Sequence, residues 1–577
     1  MTDLVLVEIV GDDDYQRTLN AAVEPLRTAG HHVETVEVPA ERLPDLDAED
    51  AETWDAFKHT PTALLEAWRV ARHIESLTEP GATVVMADRG GKGGVLALGE
   101  SAKAIGDRRR LWTIAADSLY LEWLAVAGTT DGVPDEVASL IDWEIAQYRA
   151  SERVLALSDF VLRHTAALGA DVERLAIAAP DRAANSPTPA ASMTVWLPEP
   201  VSRRAQTATI LRALSGHDVD VVFDLRDEQD AVWSGTTWET LASLVATFEG
   251  RVTRARQPAT TPTLVVLGDM TGIPDAGVAR LVSDGVPVVV AAESTAAALW
   301  PDAATWADED DLSAIVGGGP ARTATVIEVS HRPKAEASDG RARRVSVGVP
   351  VFQDVSFLEE SVESILNQTE PPFEVLLIDD GSGSAVVTET LDAWERRDQR
   401  IHTLSQPNRG VCVARNRMIE AMTGDSFLLV DADDVLEPEF IEHTAAALRN
   451  DDRLWAAATW TRFFGVYDAI EAKPPFDRSV GLRENPIVST AALVDMAVRE
   501  RGLRFAPDLA FIFCEDWHFW SQIVAAGGEI GMIPRPLIKH RTHHASGGYQ
   551  RTALALDLGT ARATAPLRAG PDRSNGE

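Results

Sequence analysis

Short apolar runs alternate with longer stretches of helical spacing along the chain, and the rhythm starts afresh three times. Residues 4–10 (LVLVEIV), 32–38, 83–86 and 111–115 read as strands, with helices between them, notably over 141–157. A second series follows at 194–197, 219–223, 263–267 and 286–291. Strands that alternate with helices build parallel sheets covered on both faces, so residues 1–190 and 191–330 are expected to be two Rossmann-like units in tandem. The third series opens at 345–351 (VSVGVPV), a β-branched run suited to a buried strand. Ser356 stands three residues before Glu359, the spacing of a capping box, and Leu358, Val362, Ile365 and Leu366 follow at helical spacing. Further strands are expected at 375–378 and 427–430, with a helix running from the 408–416 segment to about residue 422. The polar stretch 331–343 (HRPKAEASDGRAR) lacks periodicity and reads as a linker. Residues 344–550 then form a third domain, and 551–577 a disordered tail beyond a short helix.

Length and charge narrow the function classes. At 577 residues the chain is too long for one ordinary domain, and 45% apolar residues are enough for real cores. A net charge of −36 argues against a nucleic-acid partner, which needs a basic surface. It also argues against broad attraction to anionic lipid, while leaving room for peripheral membrane association through a local basic patch. The N-terminus turns acidic at once and lacks the basic region of a signal peptide, and no apolar run reaches the roughly 18 residues of a membrane span. Two cysteines, Cys412 and Cys514, make no CxxC pair and fit a reducing cytoplasm. Lysine occurs only six times, and this bias toward arginine, with heavy alanine usage, suggests a GC-rich bacterial genome.

One glycine-rich turn lies in the first segment. Residues 88–94 (DRGGKGG) follow a strand and precede a helix, whose free amides can cradle phosphate. The spacing is neither that of a P-loop nor GxGxxG, so a tight structural turn is the other reading.

The third segment carries the chemistry. Its 375–378 strand ends on Asp379, Asp380, Gly381 and Ser382, and carboxylates at the C-terminal end of a parallel strand stand where open α/β sheets bind ligands. They can accept from a base N–H or from ribose hydroxyls, or simply make a turn and a helix cap. Residues 408–416 read NRGVCVARN, and Arg415 on the following helix can present its planar fork to a base or a diphosphate. The 427–430 strand ends on Asp431, Ala432, Asp433 and Asp434. Two carboxylates at i and i+2 leaving a strand can share one divalent ion and a ribose, and hard oxygen ligands suit Mn2+ or Mg2+ rather than zinc. A lone DxD is weak; one placed after IDDGS and NRG…ARN in this order is strong.

These motifs, with VPVF and the QT of 368–369, CEDWHFW at 514–520 and HRTHHAS at 540–546, resemble those of a family 2 glycosyltransferase of the GT-A fold over about 205 residues. The family's opening motif usually has Tyr-Asn where this chain has Phe352 and Gln353, which bears on base recognition rather than on the fold. The resemblance implies a nucleotide-sugar donor held by Pro350, Asp379, Asp380, Arg415 and Asp431. It implies Asp433 and His543 as metal ligands, with Arg541 and His543 matching the family's Arg-x-His. It implies Asp516 as the catalytic base, with Glu515 supporting it. Asp516 could instead satisfy amides at a helix start, and His543 could be a surface histidine beside His544. Trp517, Phe519 and Trp520 could line an acceptor site, or belong to the core. Cys412 and Cys514 read as packing residues.

Residues 1–330 bear a weaker likeness to the two halves of a GT-B, family 4-like glycosyltransferase. It rests on 143–168 (WEIAQYRASERVLALSDFVLRHTAAL), with a helix-then-strand passage, and on the strand and loop opening 285–315. No basic diphosphate grip paired with a C-terminal glutamate motif stands out there: Glu293 is a remnant of one at most, and Arg203 and Arg204 have no clear place in it. The expectation is therefore an inverting, metal-dependent enzyme that moves a sugar onto a glycan or lipid-linked glycan acceptor in bacterial surface polysaccharide synthesis. The N-terminal half would be either a second GT-B site or a recruitment module without catalysis.

Overall fold

A computed structural model describes residues 3–10, 13–39, 62–88, 92–103, 107–116, 135–168, 170–175, 193–200, 207–224, 238–248, 251–254, 260–268, 276–292, 294–300, 302–318, 343–483, 485–487, 490–507, 509, 514–543 and 562–569. The chain forms two compact units, one of residues 1–43, 67–94 and 109–333, the other of 44–66, 95–108 and 334–577.

The first unit holds two six-stranded sheets. One contains β1 (Asp3–Val10), β2 (His32–Pro39), β3 (Thr83–Ala87), β4 (Arg110–Ala115), β5 (Arg153–Ala156) and β6 (Val172–Arg174) in the order β2-β1-β3-β4-β5-β6. The other contains β7 (Met193–Pro200), β8 (Val219–Asp224), β9 (Val252–Arg254), β10 (Leu264–Leu267), β11 (Val288–Ala291) and β12 (Ala304–Trp306) in the order β12-β11-β10-β7-β8-β9. Every pairing in both is parallel. The apolar runs expected to be strands are strands, buried as covered parallel sheets require. The helix expected over 141–157 stops at Ala150, and its VLA continuation becomes β5, since a three-residue β-prone run is better satisfied by pairing with β4. Residues of both sheets, among them Val154, Val195 and Leu264, share one hydrophobic core with Tyr148 of the Asp135–Ala150 helix.

The glycine-rich turn is packed rather than open at its described end. Gly93 N donates to Gln147 Oε1 at 3.0 Å, and a Cβ on Gly93 would lie 2.7 Å from Gln147 Nε2. On Gly94 it would lie 2.8 Å from Trp143 O, so these glycines serve a close approach of the two helices. Asp88 is buried and accepts from Ala116 N and from the Tyr148 hydroxyl, at 2.9 and 2.6 Å. Residues 89–91 lie outside the described residues, as do Glu293, Arg203, Arg204 and the linker at 331–342.

The second unit is built on a nine-stranded mixed sheet. Its parallel part, β15-β14-β13-β16, comprises β13 (Val345–Val351), β14 (Glu374–Asp379), β15 (Ile401–Ser405) and β16 (Ser426–Leu429). It continues through β20 (Leu493–Asp495), β18 (Leu454–Gly465), β21 (Glu529–Thr542) and β17 (Val435–Leu436), with β19 (Ala469–Glu471) paired to β18. Val347, Val349, Val375, Leu377 and Leu428 form a fully buried centre. Segment 95–108 contributes Ala102 to this core, and Asn450 Nδ2 donates to Ser101 O and Lys103 O at 2.8 Å each.

The capping box expected at Ser356 does not form. The Leu358–Leu366 helix begins after Phe357 without a side-chain cap, and Ser356 donates through both its amide and its hydroxyl to Asp354 Oδ1. Those bonds hold the Asp354 carboxyl below its ordinary pKa. The described part of the tail is ordered: Ala563 and Leu567 are fully buried, and the Ala565–Ala569 helix packs on the Glu515–Ala525 helix.

Candidate functional site

The C-terminal ends of β13 and β16 open on a cleft of about 400 Å³, lined among others by Pro350, Phe352, Asp380, Asp431, Asp433 and His543. It lies where parallel strands of an α/β sheet present their carboxyl ends. Of the residues expected to bind donor or metal, Pro350, Asp380, Asp431, Asp433 and His543 meet there. Asp379, Arg415, Glu515 and Asp516 are not in the lining.

Asp380 builds one wall. Its Oδ1 accepts from Gln406 Nε2 at 2.7 Å and Arg409 N at 3.0 Å, and its Oδ2 from Gly410 N at 2.9 Å. A carboxylate with three N–H donors fixes the 406–410 loop against β14. The next residue must be glycine: Gly381 has φ 73°, and a Cβ on it would lie 2.3 Å from Asn408 N. Asp379 is buried and takes the turn role, accepting from Ser382 N at 2.8 Å. Gln353, at the departure from the usual opening motif, is left-handed with φ 62°, and its amide donates to Ser382 Oγ at 2.8 Å. That conformation is uncommon for a residue with a side chain.

The DADD loop and the end of β21 are clamped together. Asp433 Oδ2 meets His543 Nε2 at 3.0 Å, Arg541 Nε donates to Asp433 O at 3.0 Å, and Arg541 N donates to Asp434 Oδ1 at 3.2 Å. Arg541 also pairs with Glu360 and lies between Phe357 and Phe464, 4.2 and 4.3 Å from their ring centres. Behind it, His540 Nδ1 sits 2.9 Å from Asp434 Oδ1. Burial alone would discharge His540, but the attraction and hydrogen bond of Asp434 raise its pKa to about 9, so it is cationic at neutral pH. His540 and Asp434 were missed by motif reading, although the acid adjoins the DxD and the base lies three residues before His543.

Among the described residues no three His, Cys, Asp or Glu side chains are grouped to hold a metal unaided. Asp433 and His543 still fit a divalent ion. They offer one carboxylate and one imidazole facing the cleft at contact distance, and Mg2+-like ions keep waters and substrate phosphates as their remaining ligands.

Arg415, on the Val411–Ala421 helix, reaches the site from behind. Its Nη2 donates to Asp431 Oδ1 at 2.7 Å and its Nη1 to Glu515 Oε1 at 3.0 Å, and its side chain is only 5% exposed. Burial opposes the charge, yet the attraction of Asp431 and then Glu515 raises its pKa above the ordinary arginine value. Arg415 thus joins a cleft carboxylate to the start of the Glu515–Ala525 helix, which carries Asp516. Arg415→Met leaves two carboxylates facing each other without their cation. We expect a loss of about 3 kcal/mol of stability, the scale for breaking a buried ion pair from one side. Equilibrium urea unfolding checks this, and an unchanged midpoint removes the structural role.

Asp516 is half-buried in the first turn of that helix. Its Oδ1 accepts from Trp517 N at 2.7 Å and its Oδ2 from Asn485 Nδ2 at 3.1 Å. The aromatics beside it are core: Phe519 stacks on Phe505 at 4.3 Å, Trp520 is buried, and Trp517 Nε1 donates to Gly481 O at 2.9 Å. Cys412 and Cys514 are both buried and make no disulfide. His544 lies outside the described residues.

Residues 346–499 match the family model described as glycosyl transferase family 2. An uncharacterized glycosyltransferase of Haemophilus influenzae is 28% identical over 215 residues, which is 34% of this chain and 65% of the relative. Glycosyltransferase GlyG of Streptococcus pneumoniae is 37% identical over 99 residues, 17% of this chain and 33% of the relative. The chain therefore spans less than two thirds of the length of either. Among solved structures, a mannosyltransferase of Pyrobaculum calidifontis in complex with GDP-Man and Mn2+ is similar at 17% identity and TM-score 0.32, covering 42% of this chain and 69% of that one. S. aureus TarS 1–349 in complex with UDP is similar at 18% identity and TM-score 0.30, covering 34% and 60%.

Proposed function

We propose that residues 344–548, similar to family 2 glycosyltransferases, transfer a sugar with inversion from a nucleotide-sugar donor to a hydroxyl of a glycan or lipid-linked glycan. The observation that carries this reading is the cleft at the strand ends, where Asp380, Asp431, Asp433 and His543 meet in one lining. Pro350 and the Asp380-braced loop flank the nucleoside, and Asp431, fixed by Arg415, faces its ribose. Asp433 and His543 would hold Mn2+ or Mg2+. When bound, that ion supplies Lewis-acid stabilisation of the leaving diphosphate. The leaving group then needs no proton, so one carboxylate suffices, unlike the paired acids of glycoside hydrolases. Asp516 takes the proton of the attacking acceptor hydroxyl, and Glu515 with Arg415 holds the helix that presents it.

No described helix is long and apolar enough to cross a membrane. We place the reaction in the bacterial cytoplasm, on surface-polysaccharide precursors, with peripheral contact at the inner membrane face. For residues 1–330 the reading is a recruitment module rather than a second, GT-B donor site. The test is a panel of nucleotide sugars with Mn2+ on the full chain, read by melting temperature and nucleotide release. A matching donor at about a hundredfold excess over its Kd stabilises the fold by about 2.7 kcal/mol. If no nucleotide sugar raises the melting temperature in the presence of metal, the reading fails.

A further inference from the structure

We propose that Asn485 is a positioning residue for Asp516, fixing the plane of its carboxylate for attack on the acceptor hydroxyl proton. The proposal rests on Asp516 being the base.

The segment that carries Asn485 is tied to the start of the Glu515–Ala525 helix. Trp517 Nε1 donates to Gly481 O at 2.9 Å, and the Arg478–Arg483 helix packs against the same helix. Gly481 is closely packed, since a Cβ on it would lie 2.5 Å from Phe476 Cε1 and 2.8 Å from Leu567 Cδ1.

The two ends of the Asn485 amide are told apart by their partners. Its Oδ1 accepts from Ile487 N at 3.2 Å, and a backbone N–H can only donate, so the oxygen must face that way. The Nδ2 is thereby turned to Asp516 Oδ2, 3.1 Å away. The other oxygen of Asp516 is held by Trp517 N at 2.7 Å. With one fixed N–H on each oxygen the carboxylate cannot rotate about its terminal bond, a torsion otherwise broad. A general base acts through geometry first, so this restraint bears on turnover more than on donor affinity.

Two variants of the full chain separate positioning from scaffolding. Asn485→Asp is nearly isosteric and keeps an oxygen for Ile487 N, but it sets a carboxylate where Asp516 had a donor. Asn485→Ala loses both bonds. For a positioning residue the aspartate is the worse change: kcat falls by about a hundredfold in Asn485→Asp and about tenfold in Asn485→Ala, with donor KM within about twofold in both. A residue that only holds the 485–487 turn gives the reverse order, near-parental kcat in Asn485→Asp and reduced stability in Asn485→Ala. Turnover in Asn485→Asp at or above that of Asn485→Ala overturns the proposal, as does parental kcat in Asn485→Ala. Asp516→Asn is measured beside them. Parental turnover there removes the base and this proposal with it. An inactive Asp516→Asn beside a fully active Asn485→Asp removes Asn485 alone.

Discussion

Asp516→Asn is expected to lower turnover by about a hundredfold or more, the usual scale for losing a positioned general base, with donor binding retained. The structure adds a modest stability cost. Asp516 accepts from Trp517 N and from Asn485 Nδ2, and an amide has only one oxygen for these two donors. If the oxygen stays on Trp517 N, two NH2 groups face each other. The Asn485 amide cannot turn without losing Ile487 N. The cost is about 1 kcal/mol, the net worth of one such bond. Turnover per folded molecule is therefore the quantity to measure, with the melting temperature on the same sample. A role limited to capping the helix predicts the opposite, since Asn caps about as well as Asp. Near-parental turnover would exclude Asp516 and shift attention to Glu515, whose carboxylate is already committed to Arg415.

Chelation with EDTA is expected to abolish sugar transfer, and added Mn2+ or Mg2+ to restore it. The expectation follows from the donor set at the cleft, Asp433 Oδ2 beside His543 Nε2, with phosphate and water oxygens completing an ion of this type. A second arm locates the effect. Asp433→Ala should remove the metal-dependent part of donor binding while leaving the metal-free affinity of the nucleotide unchanged. The backbone of Asp433 still accepts from Arg541, and Asp434 still anchors β21, so the loop keeps its place. Full activity in a stripped sample excludes the metal. Equal donor affinity for parent and Asp433→Ala in Mn2+ excludes Asp433 as its ligand.

The longer central parallel strands were legible because their apolar runs are β-branched and bounded by acids or glycine, whereas the parallel strands β5, β6, β9, β12 and β15, short or mixed with polar residues, were not. β13, β14 and β16 lie within one residue of where periodicity put them. Nor was the half of the third sheet beyond β16 legible, where parallel and antiparallel pairings mix. β18 and β21 mix charged and apolar residues because each leaves the core toward its end, and β17, β19 and β20 are two or three residues long. Pro350, Asp380, Asp431, Asp433 and His543, picked out by motif order, line one cleft. Motif order could not foresee Arg415 behind the wall, because a motif gives a residue's neighbours in sequence and not which side of a helix faces inward. Asn485 stands about thirty residues before Asp516 in no recognisable pattern, so only the fold brings the two together.

The makeup of the second unit bears on how such a chain can be cut and rejoined. Ala102 lies in its core, and the carbonyls of Ser101 and Lys103 receive the Asn450 amide. A fragment starting at residue 344 lacks all three. Asn450 is buried, so its amide would lose both acceptors at once. A recombination point in the polar stretch at 331–343, inviting by composition, would thus separate a body from part of its own interior. Exchange of this half between relatives is expected to succeed only when residues 95–108 travel with it.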